Sequence, residues 1–178
     1  MSSDPSASNL SFSLNENTKK KKAGIVVSGW HREITEVLAA SAKKTLIEAG
    51  IDPENIIIQH VPGSFELPLG AQFLFEYEKA DLVIAIGCII KGETPHFHYI
   101  SEAVTLTLIQ LQARSNHPVG FGVLTVDSLE QAKERAGGKH GNKGEEAANA
   151  ALYMLSLRED MRKQGTKSSI GFGSGSRE

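Results

Sequence analysis

Four short apolar runs constrain this chain more than any other feature: AGIVVSG, NIIIQHV, DLVIAIGCII and VGFGVLTV, each rich in β-branched residues. Helix-length amphipathic segments separate them, and such long crossovers require parallel strands. A parallel sheet needs cover on both faces. The alternation therefore predicts a three-layer α/β/α sandwich with a four-stranded parallel sheet and right-handed connections.

The first helix is expected from about Arg32 to Ala49, with Ile34, Val37, Leu38, Ala42 and Leu46 on its inward face and Gly50 as its stop. A second should follow Pro68. A third should begin with Thr94 as N-cap and Pro95 at the first helical position, and end within Ser115 to Pro118. Asp127 should cap a fourth, with Glu130 completing a capping box. Asn142 and Glu145 repeat that signature before a last helix with Ala147, Ala148, Ala151, Leu152 and Leu155 on its apolar face.

A length of 178 residues with 40% apolar content suits one core. Residues 1–22 are expected to form a flexible arm that ends in the basic run Lys19 to Lys22, residues 23–164 the domain, and residues 165–178 a flexible glycine-serine tail. The basic run reads as solvated surface. A net charge of −2 gives no support for nucleic-acid binding, and no run reaches the ~20 apolar residues that span a bilayer. The single cysteine, Cys88, cannot form an internal disulfide and reads as a buried inert thiol, which fits a reducing, cytoplasmic setting.

Ligands of parallel sheets collect where the strands end, so the chemistry is sought in the loops that leave them. After the first strand, Ser28-Gly29-Trp30-His31 carries the only tryptophan, a stacking platform for a planar heterocycle or a packing residue. After the second, Gly63 is followed by Ser64, Phe65 and Glu66: a hydroxyl, a ring and a carboxylate. Glu66 serves either the site or the dipole of the helix it opens.

The third loop, Lys91-Gly92-Glu93-Thr94-Pro95-His96, leads into a helix N-terminus, where free N–H groups favour a phosphate. His96 lies in the first turn, where the dipole disfavours imidazolium, so a neutral ring is placed to shuttle protons. No metal site is expected, because His96 and His98 at i, i+2 do not share a helical face. Walker, G-x-G-x-x-G and G-x-S-x-G signatures are absent from the sequence.

In the segment FGVLTVDSLEQAKERAGGKHGNKG, Arg135 offers a planar fork to an anion, and Gly137, Gly138, Gly141 and Gly144 let backbone come close. Phe121 stands about 13 Å from the carboxyl edge at ~3.3 Å per residue. Either it packs in the core, or Phe121 and Arg135 serve the site of a neighbouring subunit.

Taken together, SGWH, PGSFELP, GCIIKGETPHF and the segment from Phe121 to Gly144 resemble lumazine synthase in order and spacing over about residues 23 to 164. The resemblance implies condensation of 5-amino-6-ribitylaminouracil with 3,4-dihydroxy-2-butanone 4-phosphate to 6,7-dimethyl-8-ribityllumazine, phosphate and water, with no cofactor. It places Trp30, Ser64, Phe65, Glu66, Cys88, Ile89, Ile90 and a neighbour's Phe121 around the pyrimidine and its ribityl chain, with Lys143 a weaker candidate at the ribityl or phosphate end. Gly92, Glu93, Thr94 and Arg135 fall at the phosphate, and His96 at the proton transfer. It also implies a homo-pentamer, a 60-subunit icosahedral shell in members with an uninterrupted Gly137 to Gly141 turn, and association with riboflavin synthase. The chain departs from the family at Trp30, often phenylalanine, and at His31, where asparagine is common. Two other functions compete: a non-catalytic shell or flavin- or lumazine-binding protein of this fold, and a phosphosugar enzyme on a flavodoxin-like sheet.

Overall fold

A computed structural model describes residues 19–168, with side chains through residue 165. The elements run β1 (Ala23–Ser28), α1 (Arg32–Glu48), β2 (Ile56–Val61), α2 (Leu67–Glu76), β3 (Leu82–Ile90), α3 (His96–Ser115), β4 (Val119–Val126), α4 (Leu129–Glu134), β5 (Ala136–Gly138), β6 (Gly141–Asn142) and α5 (Lys143–Ser168). Each of the four apolar runs is a strand. They form one parallel sheet in the order β2-β1-β3-β4, with Ala23 opposite both Ile56 and Leu82 and Val83 opposite Val119.

The pleat sorts the side chains into two cores. Ala23, Ile25 and Val27 of β1 meet Ile34, Leu38 and Leu46 of α1 and Ala148, Leu152 and Leu155 of α5. Val26 points the other way, toward Leu67 and Leu74 of α2 and Val104 and Leu108 of α3. Fully burying each large aliphatic side chain contributes about 1.5–3 kcal/mol, so the three layers hold together mainly through these two interfaces. Two glycines let α5 lie close: a Cβ at Gly120 would meet the carbonyl of Ala147, and one at Gly144 the carbonyl of Leu38.

Both-face burial holds for β1 and for all of β3 except Ile90, but β2 is an edge strand on which Ile58, Gln59 and His60 are exposed. Val37 is 45% exposed rather than inward-facing. At about 100° per residue it lies off the arc set by Ile34, Leu38, Ala42 and Leu46, and Thr35, Ala39 and Thr45 are buried there instead.

Two caps differ from expectation. Thr94 does not cap α3: the first helical bonds, from the N–H groups of His98 (3.0 Å) and Tyr99 (3.5 Å), go to the carbonyl of Pro95, and no side chain caps this end. The cap of α4 is Ser128, not Asp127. Ser128 Oγ accepts from the N–H of Gln131 (3.3 Å), and Gln131 Oε1 accepts from the N–H of Asp127 (3.0 Å), so the capping frame sits one residue later and Glu130 does not close it. At α5, Asn142 Oδ1 accepts from the N–H groups of Gly144 (2.9 Å) and Glu145 (3.4 Å), as expected.

The basic run is tied to the domain rather than solvated throughout. Lys21 Nζ bridges Asp81 (3.3 Å) and Glu159, the N–H of Lys22 donates to Asp81 Oδ2 (3.0 Å), and Asn55 Nδ2 donates to the carbonyl of Lys19 (2.9 Å). Helix α5 includes residues 165–168, the first of those assigned to the tail. The rest of the proposed arm, 1–18, and of the tail, 169–178, lies outside the described residues.

Candidate functional site at the carboxyl edge of the sheet

Parallel pairing brings Ser28, Val61, Ile90 and Val126 to one edge. Helix α1 packs on one face and α3 on the other, so the loops leaving the adjacent strands β1 and β3 diverge. That reversal is the switch point at which α/β sheets open a crevice.

On one side stand the first two loops. The N–H of Gly29 donates to the carbonyl of Val61 (2.9 Å), which fixes the β1 loop against the end of β2. Trp30 is 68% exposed and Phe65 62%, so neither is a packing residue of this chain. A Cβ at Gly63 would stand 3.2 Å from Glu66 Oε2 and 3.4 and 3.5 Å from Trp30 Cδ1 and Nε1. Indole edge and carboxylate thus both stand beside Gly63, where a larger side chain would crowd them. His31, at φ 53° and ψ 52°, turns the chain into α1.

Ser64 points inward. Its hydroxyl is buried, 3.5 Å from Ser28 Oγ, and a Cβ on Gly87 would stand 2.9 Å from it. Cys88 and Ile89 are buried, one in each of the two cores, and Ile90 is half-buried, so these side chains lie beneath the edge rather than on its rim. Burial pushes the Cys88 thiol up to about 11, with the Glu33 carboxylate adding to the shift, so it stays protonated at neutral pH.

On the other side, residues 91–96 are all exposed, and a Cβ on Gly92 would meet nothing within 4 Å. The N–H of Lys91 donates to the carbonyl of Val126 (2.9 Å), and its ammonium lies 3.8 Å from Asp127, which fastens this loop to the end of β4. Beyond Glu93 and Thr94 the uncapped start of α3 carries His96 in its first turn. Free N–H groups and the positive end of the dipole suit an anion there.

Arg135 and Lys143 form a separate group. The segment between them is not an open loop but an antiparallel hairpin, β5–β6, with Gly137 at φ 104° and Gly141 at φ 72°. Arg135 Nη1 donates to the carbonyl of Gln131 (3.0 Å) and lies 3.9 Å from Glu134, while Lys143 Nζ turns to Glu146 (2.6 Å). Among the described residues none of these partners belongs to the 92–94 loop. Phe121 is 43% exposed on the edge strand β4, opposite Ala85 and five residues before the strand's end, and so neither packs in this chain's core nor reaches its carboxyl edge. Gln131 and Glu134 are not among the residues the sequence singles out; Gln131 carries only its i, i+4 spacing to Arg135, and Glu134 only its adjacency.

A parallel sheet wound 2-1-3-4, with its candidate site at the switch point, defines a flavodoxin-like α/β protein. The family model for 6,7-dimethyl-8-ribityllumazine synthase matches residues 20–159, and the chain belongs to that family. Proteins of that name from Porphyromonas gingivalis and Cytophaga hutchinsonii are each 52% identical over 139 residues, which span 78% of this chain and 86% and 87% of theirs. The Parabacteroides distasonis protein is 43% identical over 150 residues, 84% of this chain and 94% of its own. Membership makes the chain a transferase of riboflavin biosynthesis.

Proposed function

We propose that the carboxyl-edge crevice condenses 5-amino-6-ribitylaminouracil with 3,4-dihydroxy-2-butanone 4-phosphate to 6,7-dimethyl-8-ribityllumazine. The observation that carries this reading is that Trp30 and Glu66 both stand beside Gly63, at the same sheet edge as the exposed residues 91–96. Trp30 and Phe65 stack on the pyrimidine, Glu66 accepts hydrogen bonds from its ribitylamino side, and Cys88, Ile89 and Ile90 floor the ring. Because Ser64 is buried, its part is to hold the loop. Gly92, Glu93 and Thr94, with the start of α3, receive the phosphate.

The chemistry needs little beyond approach and proton transfer. The substrate amine attacks the ketone to give an imine and releases water. Phosphate then leaves, the resulting enol tautomerises to a ketone, and attack of the ribitylamino nitrogen on that carbonyl closes the ring with loss of a second water. His96, next to the anion site, moves the protons. No cofactor enters the scheme.

A neighbouring copy supplies Phe121, Arg135 and Lys143, so the working unit is a homo-pentamer. Support comes from apolar side chains that one chain leaves exposed, Leu69 and Phe73 on α2 with Phe65 just before it and Tyr77 just after it, and Tyr99, Leu106 and Ile109 on α3. Between these helices lies an apolar cavity of about 310 Å³ lined by Phe65, Leu69, Val104 and Leu111 among others. The tight β5–β6 turn favours a 60-subunit shell, cytoplasmic and able to associate with riboflavin synthase. No helix among the described residues is long and apolar enough to cross a membrane.

The test mixes purified protein with both substrates and follows lumazine absorbance and fluorescence against the uncatalysed reaction, with Arg135→Ala alongside. Acceleration that the variant loses supports synthase activity and the clamp. A folded assembly that binds the pyrimidine without acceleration points to a shell or ligand-binding protein. Native mass that shows only free monomers overturns the shared site.

A further inference from the structure

Glu134, the last residue of α4, stands outside every role assigned above, yet three contacts of the β5–β6 hairpin end on it. Its carbonyl accepts the N–H of His140 (2.9 Å). Its carboxylate accepts from Lys139 Nζ (2.7 Å) and lies 3.7 Å from His140 Nε2 and 3.9 Å from Arg135 Nη1. A Cβ on Gly138 would stand 2.7 Å from Glu134 Cα, so the hairpin lies directly on this residue. The hydrogen bond from Lys139 holds its carboxyl below the ordinary range, with Lys139, His140 and Arg135 adding charge in the same sense.

The outgoing strand closes on the adjacent residue, where the N–H of Lys143 donates to the carbonyl of Arg135 (2.9 Å). Arg135 is thus held at its carbonyl by the hairpin and at Nη1 by Gln131, and its Nη2 and Nε have no protein partner among the described residues. An arginine gives up rotamer entropy when it grips a ligand, and a scaffold that fixes it beforehand reduces that loss. A carboxylate cannot itself bind a phosphate dianion, because like charges repel.

We infer that Glu134 is the positioning residue of the phosphate clamp: it ties the hairpin turn to α4 and so sets the Arg135 guanidinium for the phosphate-bearing substrate without touching that substrate. The inference rests on the reading of Arg135 as the clamp.

The experiment compares full-length wild type, Glu134→Gln, Arg135→Ala and the double variant. Each substrate is varied in turn, and inorganic phosphate serves as competitive probe. Glu134→Gln is expected to raise the KM for the butanone phosphate and the phosphate inhibition constant together, about tenfold, the equivalent of about 1.4 kcal/mol. The pyrimidine KM and kcat should stay within about twofold, and the double variant should be no worse than Arg135→Ala. Lys139→Met, which cuts the same tie from the other side, should move the phosphate constants in the same direction.

A loss from Glu134→Gln that is equally large with Arg135 intact and in the Arg135→Ala background, tighter phosphate binding, or an equal rise in the pyrimidine KM would overturn the inference. So would unchanged phosphate constants in both Glu134→Gln and Lys139→Met. Should Arg135→Ala itself leave the phosphate constants unchanged, the clamp reading fails, and the inference fails with it. A change in Arg135→Ala without one in the Glu134 and Lys139 variants sinks the inference alone.

Discussion

Lys143 donates its backbone N–H to the carbonyl of Arg135 at 2.9 Å, so two cations eight positions apart are fastened to each other through the main chain. Their side chains diverge, Arg135 toward Gln131 and Lys143 toward Glu146. The hairpin between them therefore acts as a mount for one guanidinium rather than as a pair of converging charges.

That arrangement makes Arg135→Lys a severe change. A lysine ammonium cannot hold the Gln131 carbonyl and still offer a planar fork to phosphate. The expected result is a fall in kcat/KM for the butanone phosphate of about 10–100-fold, the loss of one or two charge-assisted hydrogen bonds, with pyrimidine affinity retained. Steady-state kinetics with each substrate varied checks it.

Gly144 sets the depth at which α5 crosses α1. A methyl at that position meets the Leu38 carbonyl, which as helix backbone cannot step aside as a flexible side chain would. Gly144→Ala should cost about 1–3 kcal/mol through overpacking and lower the thermal midpoint by roughly 2–4 °C per kcal/mol. Calorimetry on the variant decides the point, and an unchanged midpoint would show that the two helices separate freely.

His31 occupies the left-handed region at the start of α1. Asparagine, common at this position in the family the sequence resembles, tolerates that conformation, whereas a β-branched residue does not. His31→Val should cost about 1–2 kcal/mol. His31→Asn should stay within about 0.5 kcal/mol of wild type. The comparison of unfolding midpoints isolates the backbone conformation from the loss of the imidazole, which both variants share.

The strands could be read before the structure because near-continuous β-branched runs admit few alternatives. The errors fall where neighbouring residues offer equivalent chemistry. Asp127 and Ser128 each have an acidic or amide partner three residues on, and only the backbone conformation at Ser128, φ −148° and ψ 163°, selects between the two frames. The β5–β6 hairpin escaped notice because strands of three and two residues carry no periodicity. Trp30 and Glu66 belong to different loops, and their shared approach to Gly63 follows from the pairing of β1 with β2, which no local pattern encodes. Phe121 and Arg135 carry no local pattern that ties them to the loops of their own sheet edge, because the roles proposed for them join two copies of the chain.

Cys88 offers a pH-dependent signature of the floor of the crevice. Burial raises its thiol from an ordinary value of 9.0 to about 11. Below pH 9 the thiol is protonated in both folded and unfolded chains, and its contribution to stability is complete. As pH rises past 9 the unfolded thiol ionises while the folded one holds its proton, so the unfolded state gains. The loss accumulates until about pH 11, where the folded thiol ionises as well. With 1.36 kcal/mol per pH unit, the total is about 2–3 kcal/mol. Lysines and tyrosines titrate in the same window, so the quantity to follow is the difference between wild type and Cys88→Ala in denaturant midpoint at pH 8, 9.5 and 10.5. The wild type should lose stability relative to the variant across that series. A constant difference would mean that water reaches the end of β3 more freely than the burial of Cys88 implies.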